Sequence, residues 1–200
     1  MKEKEIQKGV FIMAYTIGVI VGIIVTIAAT ILLVTLFLKL GNKDKRMKTE
    51  YDERQKIVIG EGYKIAYWTL AALLVLVQMY KTLAGSFGTD YLAKTDFGVI
   101  VFGMIILSIM VFCVYCIFKG AYWGMNNNKK SYVIIIGGIG ILNLIISVAS
   151  IIRGDFVVDG VISGTAVNLM CAILMIVVLA AAGIKETIDK KNDSDEEGDE

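Results

Sequence analysis

Two cysteines one helical turn apart, Cys113 and Cys116 in the run CVYC, are the first residues of this chain whose spacing fits a reaction. A C-x-x-C pair can cycle between dithiol and disulfide when a thiol is accessible and its thiolate is stabilised. Here the pair sits inside an apolar run, near its basic end, and Cys171 belongs to a different depth of a different run. The surroundings favour packing, because a reduced cysteine behaves as a small apolar side chain. Membrane thiol redox chemistry is the minor alternative. No further soft ligand shares that depth, so neither a metal nor a cofactor is expected.

Histidine is absent from all 200 residues. That removes the commonest general base, the commonest proton relay near neutral pH and the commonest transition-metal ligand. No other nucleophile stands beside a base, and there is no phosphate-binding glycine loop, so the chain is expected not to be an enzyme.

Polar residues inside apolar runs are the next place to look for function. Asp, Glu, Lys and Arg are missing from the centre of every such run, which disfavours transport driven by a buried charge. Gln78, Asn143, Ser147, Ser150, Thr165 and Asn168 remain. At about 1.5 Å per helical residue, Gln78, Ser147 and Asn168 fall at one height, with Asn143 a turn deeper. Gln78, Asn143, Ser147 and Asn168 therefore form a candidate polar cluster. Its structural reading is hydrogen bonding between helices; its functional alternative is a small-solute pocket, as in a permease or the membrane subunit of a transporter.

The elements that must position these residues follow from composition. Hydrophobic residues make up 56% of the chain, above the share of an ordinary soluble domain, so the surplus is expected to face lipid. Apolar stretches cover about 10–38, 65–84, 97–118, 132–152 and 162–184, and a crossing helix needs about 20 residues. The expected fold is all-α: a polytopic membrane protein of about five transmembrane helices in one bundle over 1–184. The acidic segment 185–200 is expected to be a disordered tail. With 0 prolines, no crossing carries a proline kink.

Orientation follows from the bases. Of 20 Lys and Arg, six (Lys2, Lys4, Lys8, Lys81, Lys94 and Arg153) fall on one side of five crossings, leaving 14 on the other. The positive-inside rule then places the N-terminus outside and the C-terminus inside. Neither the basic nor the acidic block has the character of a nucleic-acid face.

Small residues are the expected helix-packing sites, because membrane helices associate by close backbone approach. Gly18 and Gly22 share an arc of the first run; Gly160 and Gly164 lead a similar stripe into the last. Both patterns suit packing within the chain, with homodimerisation as the alternative.

The most charged stretch is TEYDERQKIVIGEGYKIAYW, residues 49–68. Thr49 with Asp52 fits a capping box, and Glu50–Arg54 and Asp52–Lys56 are acid-before-base pairs four apart. A cytoplasmic helix over about 49–62 is expected, followed by an aromatic anchor at Tyr63, Tyr67 and Trp68. Gly60 and Gly62 weaken that helix where it meets the headgroups. Tyr51, Asp52, Glu53, Arg54 and Gln55 form a candidate docking surface for a cytoplasmic protein; the bland reading is a solvated helix that rests on the lipid bilayer and fixes topology.

The run YDERQKIVIGEGYKIAYWTL resembles a segment found in a loose group of small multi-pass membrane proteins of low-GC Gram-positive bacteria. The resemblance covers about twenty residues, and Glu61 departs from it, standing where a base is expected. It implies a multi-pass protein of a bacterial cell membrane and implies no catalytic residue, ligand or cofactor.

Overall fold

The computed structural model describes residues 2–45, 48–87 and 90–197. The chain divides into two units, Met1–Thr49 and Glu50–Glu200.

The first unit is one uninterrupted helix, α1, Lys2–Gly41. Without proline, nothing in this stretch removes a backbone donor, and the ladder runs on until Asn42 N–H bonds the Leu38 carbonyl at 3.0 Å. Its described side chains form an apolar stretch at Ile27–Gly41. Gly18 would meet nothing within 4 Å if it carried a Cβ; the side-chain surroundings of Gly22 lie outside the described residues.

The second unit holds α2 (Glu53–Phe87), a 3-10 turn (Tyr91–Lys94), α3 (Phe97–Phe118), α4 (Lys129–Arg153), a hairpin of β1 (Val157–Val158) and β2 (Val161–Ile162), and α5 (Ala166–Glu197). Among the described residues, these four helices are long and apolar enough to cross a membrane. The remaining expected crossing, about 10–38, falls on α1, where side chains are described at 17, 18, 20, 21, 24, 25 and 27–38.

Packing order differs from chain order. α2 lies on α3, α3 on α5, and α5 on α4, so the helices run α2–α3–α5–α4 with α2 at one edge. The core sits among the last three: Ile106, Cys113 and Ile117 of α3, Ile136 of α4, and Leu174, Val178 and Ala181 of α5. Between α4 and α5 the contact is close because Gly140 has no side chain; a Cβ there would stand 3.0 Å from the Met175 Cβ. Ser147 and Ser150 continue this face at 0% and 1% exposure. Outward faces stay apolar, with Leu74, Val75, Leu76, Ile134 and Ile152 all exposed, as expected where lipid takes the place of water.

The end of the bundle bearing the hairpin is built by short polar devices. Asp159 (φ 53°) and Gly160 (φ 76°) occupy the turn between β1 and β2, the pair of positive φ values that a type I′ hairpin turn requires and that Asp-Gly favours. Asp96 caps α3, accepting from the Gly98 N–H at 2.7 Å, and its own N–H bonds the Ile162 carbonyl at 2.9 Å, tying the hairpin to the start of α3.

Three expectations change. The helix expected at 49–62 starts only at Glu53 and runs on through the crossing expected at 65–84 as one helix, Glu53–Phe87. Gly160 and Gly164 do not enter a helix; they flank β2, and α5 starts only at Ala166, because the Asp-Gly turn folds the chain back before the last crossing. The acidic tail continues α5 to Glu197 rather than being disordered, supported by the i,i+4 ion pairs Lys185–Asp189 and Glu186–Lys190, the latter at 2.8 Å. Such pairs contribute about 0.2–0.5 kcal/mol each to a helix already nucleated by its apolar part.

Candidate functional site

The end of the bundle opposite the hairpin carries the YDERQ segment, and there most of it is engaged by the chain itself. Asp52 is the N-cap of α2: its Oδ1 accepts from the Gln55 N–H at 2.6 Å, and Gln55 Oε1 accepts from the Asp52 N–H at 3.2 Å. This is a reciprocal capping box. It stands three residues beyond the expected Thr49–Asp52 box, because Gln55 can reach both back to the cap and across to another segment. Its amide nitrogen donates to the Gly120 carbonyl at 3.2 Å and the Trp123 carbonyl at 3.0 Å. One side chain thus joins the start of α2 to the α3–α4 loop.

The backbone adds a second clasp. Glu50 N–H donates to Asn126 Oδ1 at 2.9 Å, and the Met125 N–H donates to the Glu50 carbonyl at 2.8 Å. Gly120, at φ 69°, terminates α3 in the left-handed conformation. Ala121 N–H returns to the Cys116 carbonyl at 2.8 Å and Gly120 N–H to the Ile117 carbonyl at 3.0 Å, the two bonds of a Schellman motif. Asn128 then caps α4 through the Ser131 N–H at 3.4 Å.

Aromatic rings fill the space under this clasp. Trp123 meets Tyr122 edge to face at 4.8 Å and Tyr132 at 5.7 Å. Burial, with Cys113 and Tyr51 close by, pushes the Tyr122 hydroxyl well above its ordinary range. Burial likewise raises Tyr51, with Tyr132 and Tyr63 adding to the effect. Both phenols therefore stay neutral and act as packing and hydrogen-bonding groups rather than as bases.

Of the five candidate docking residues, Gln55 and Tyr51 face inward and half-buried, and Asp52 gives its carboxylate to the cap. Glu53 and Arg54 remain exposed, together with Lys56, Lys119, Lys129 and Lys130. The result is a platform with a fixed backbone and a charged, predominantly basic outer surface.

Below the platform α2 crosses α3 at Gly62. A Cβ on Gly62 would stand 3.0 Å from Cys116 Sγ and 3.0 Å from Phe112 Cδ2. Tyr63 stacks on Phe112 at 4.6 Å, and the Ser108 hydroxyl donates across to the Ala66 carbonyl at 2.7 Å. Cys116, 1% exposed, therefore fills the notch that Gly62 leaves, and Cys113 belongs to the core. Cys113, Cys116 and Cys171 are all free thiols.

Gln78 does not join the other three members of the polar cluster. Gln78 is exposed on α2, at the edge of the array, whereas Asn143 and Ser147 lie on α4 and Asn168 on α5. These three donate locally, within their own segments: Asn143 Nδ2 to the Ile139 carbonyl at 2.9 Å, Ser147 Oγ to the Asn143 carbonyl at 2.9 Å, and Asn168 Nδ2 to the Thr165 carbonyl at 3.3 Å. Height along a helix is readable from sequence; which helices are neighbours is not.

Gly120, Trp123 and Asn126 are platform residues that sequence reading missed. The available signal was the run GAYWGMNNNKK at 120–130, where a glycine at a helix C-terminus and asparagines before the next helix mark a short, structured connection. No protein-family model, curated protein or solved structure matches the chain.

Proposed function

We propose that this protein is a non-enzymatic, partner-binding or regulatory protein of a bacterial cell membrane, with its N-terminus outside, its C-terminus inside, and the α2–loop platform facing the cytoplasm. The observation that supports docking is the three-way commitment of Gln55, to the Asp52 N–H and to the Gly120 and Trp123 carbonyls. It fixes the backbone under Glu53 and Arg54, so their charges are presented in one geometry rather than on a frayed helix end. A preformed charged surface binds with less ordering cost and selects partners by complementary charge.

Glu53→Lys with Arg54→Glu exchanges the outer charges while leaving Asp52 and Gln55, the cap and clasp, in place. Membrane level and folding are expected to be unchanged, and recovery of a soluble protein that co-purifies with the wild type from mild detergent should fall about tenfold, as for opposed charges at an interface rim. Retention of every wild-type partner would overturn the docking reading.

Orientation is tested separately. A cysteine introduced at Met125, exposed in the loop, should react with a membrane-impermeant maleimide only after the cytoplasmic face is opened. Labelling of intact cells at this position would reverse the topology.

A further inference from the structure

Along α2 a groove of about 570 Å³ opens against α3. Its lining changes character along the helix axis, from Glu61, Lys64 and Tyr115 at one end to Ile65, Trp68 and Ala72 at the other. Glu61 to Ala72 spans about 16 Å at about 1.5 Å per residue, of which Ile65 to Ala72, about 10 Å, falls within one leaflet of a hydrocarbon core about 30 Å thick. α2 itself, Glu53–Phe87, is about 50 Å long on the same rise, so its first turns stand outside the hydrocarbon, and its apolar run begins at Ile65. Glu61 and Lys64 lie at headgroup level, with Tyr67 and Trp68 at the place of an aromatic belt.

The charges at the polar end are held in a defined arrangement. Residues three apart share a helix face, so Glu61 and Lys64 open on the same side. The Tyr115 hydroxyl donates to Glu61 Oε2 at 2.6 Å, which orients the carboxylate and leaves its other oxygen to a second donor. Among the described residues no ion pair joins Glu61 to Lys64. One carboxylate and one ammonium side by side, above an apolar slot, complement a headgroup that carries both an ammonium and a phosphate.

Alternative headgroups fit less well. A purely anionic one would meet Lys64 favourably but be repelled by Glu61. A choline headgroup has the right charges and no N–H to donate to the carboxylate, and charge-assisted hydrogen bonds are the stronger ones. We infer that this groove is a binding site for a phospholipid with a primary-ammonium zwitterionic headgroup, of the phosphatidylethanolamine class. The lipid ammonium donates to Glu61, its phosphate accepts from Lys64, and one acyl chain lies along Ile65, Trp68 and Ala72. The site is independent of the docking platform.

The chain has 2 tryptophans, so Trp123→Phe leaves Trp68 as the reporter inside the groove while keeping the backbone carbonyl that Gln55 uses. The full-length Trp123→Phe protein is placed in vesicles of constant composition doped with brominated-chain phosphatidylethanolamine, phosphatidylcholine or phosphatidylglycerol, and Trp68 quenching is read. Quenching should report about fivefold tighter binding of phosphatidylethanolamine than of either other lipid, equivalent to about 1 kcal/mol. Adding Glu61→Gln, which still accepts from Tyr115, should bring phosphatidylethanolamine and phosphatidylcholine within about twofold of each other, whereas Lys64→Gln should weaken phosphatidylethanolamine and phosphatidylglycerol together. Equal quenching by all three lipids, strongest quenching by phosphatidylglycerol, or an unchanged preference in Glu61→Gln overturns the assignment.

Discussion

Replacing Gly62 with alanine should destabilise the protein by about 2 kcal/mol, within the range of about 1–3 kcal/mol for overpacking a well-filled site. The added methyl arrives 3.0 Å from Cys116 Sγ, 3.0 Å from Phe112 Cδ2 and 3.1 Å from Phe112 Cε2. Neither neighbour can yield freely, since the Phe112 ring is held by its stack with Tyr63 at 4.6 Å and Cys116 is 1% exposed. Acting the other way, alanine improves helix propensity by up to about 1 kcal/mol, so the steric cost must exceed that gain. Gly60→Ala separates the two effects. Gly60 is exposed and would meet nothing within 4 Å, so its substitution should stabilise by about 0.5–1 kcal/mol. Reversible unfolding of the two variants in mixed micelles gives the comparison directly. If both glycines respond with the same sign, Gly62 is not the crossing point of α2 and α3.

The second large effect is expected at Gln55. Gln55→Leu removes the acceptor for the Asp52 N–H and both donors to the Gly120 and Trp123 carbonyls. Each net hydrogen bond is worth about 0.5–1.5 kcal/mol, so about 2–3 kcal/mol of local stability should go, concentrated where α2 meets the loop. Hydrogen exchange resolves this better than global unfolding, because the loss is confined to one cooperative unit. Amides of 50–56 and 120–127 should exchange about 30-fold faster or more, at about 1.4 kcal/mol per tenfold, while those of α5 keep wild-type protection. Gln55→Glu is the informative partner: it retains an acceptor for Asp52 and loses both donors, and it sets a carboxylate against two carbonyls. It should loosen the loop at least as much as leucine does. Unchanged exchange at 120–127 in both variants would mean that the Glu50–Asn126 and Met125–Glu50 bonds hold the clasp without Gln55.

Together these experiments separate what the two halves of TEYDERQKIVIGEGYKIAYW do. Its first half is a docking clasp for the α3–α4 loop, and the residues left outward, Glu53 and Arg54, are the ones free to meet another protein. Its second half threads Gly62 against α3 and leaves Glu61, Lys64 and Trp68 exposed. Each half therefore has an inward and an outward face, and only the outward residues belong in a test of partner or lipid binding.

Much of this architecture is legible in the amino-acid order alone. Length and apolar content of the runs dictate an all-α chain with membrane-length helices, because a backbone in hydrocarbon must satisfy its own hydrogen bonds. α3 begins and ends where its apolar run does, at Phe97–Phe118, since Asp96 offers a cap on one side and Lys119-Gly120 a stop on the other. Two further features have local signals in the sequence: Asp159-Gly160 encodes a hairpin turn, and D-x-x-Q at Asp52–Gln55 encodes a cap as well as T-x-x-D does at Thr49–Asp52. Between two such local options the sequence is silent; the Gly120 and Trp123 carbonyls decide for Gln55, because only that register gives its amide two further partners. The same holds for the glycines. Gly60 and Gly62 are equivalent by propensity, and the tertiary fold separates them by setting Phe112 and Cys116 against one and nothing against the other. Helix adjacency, too, belongs to the tertiary structure. Heights of Gln78, Asn143, Ser147 and Asn168 follow from counting residues, but α5 packs between α3 and α4 and leaves α2 at the edge, so Gln78 is parted from the rest. A crossing helix fixes depth through its own length, whereas its neighbours are selected by side-chain fit between segments far apart in the chain, which periodicity and composition do not encode.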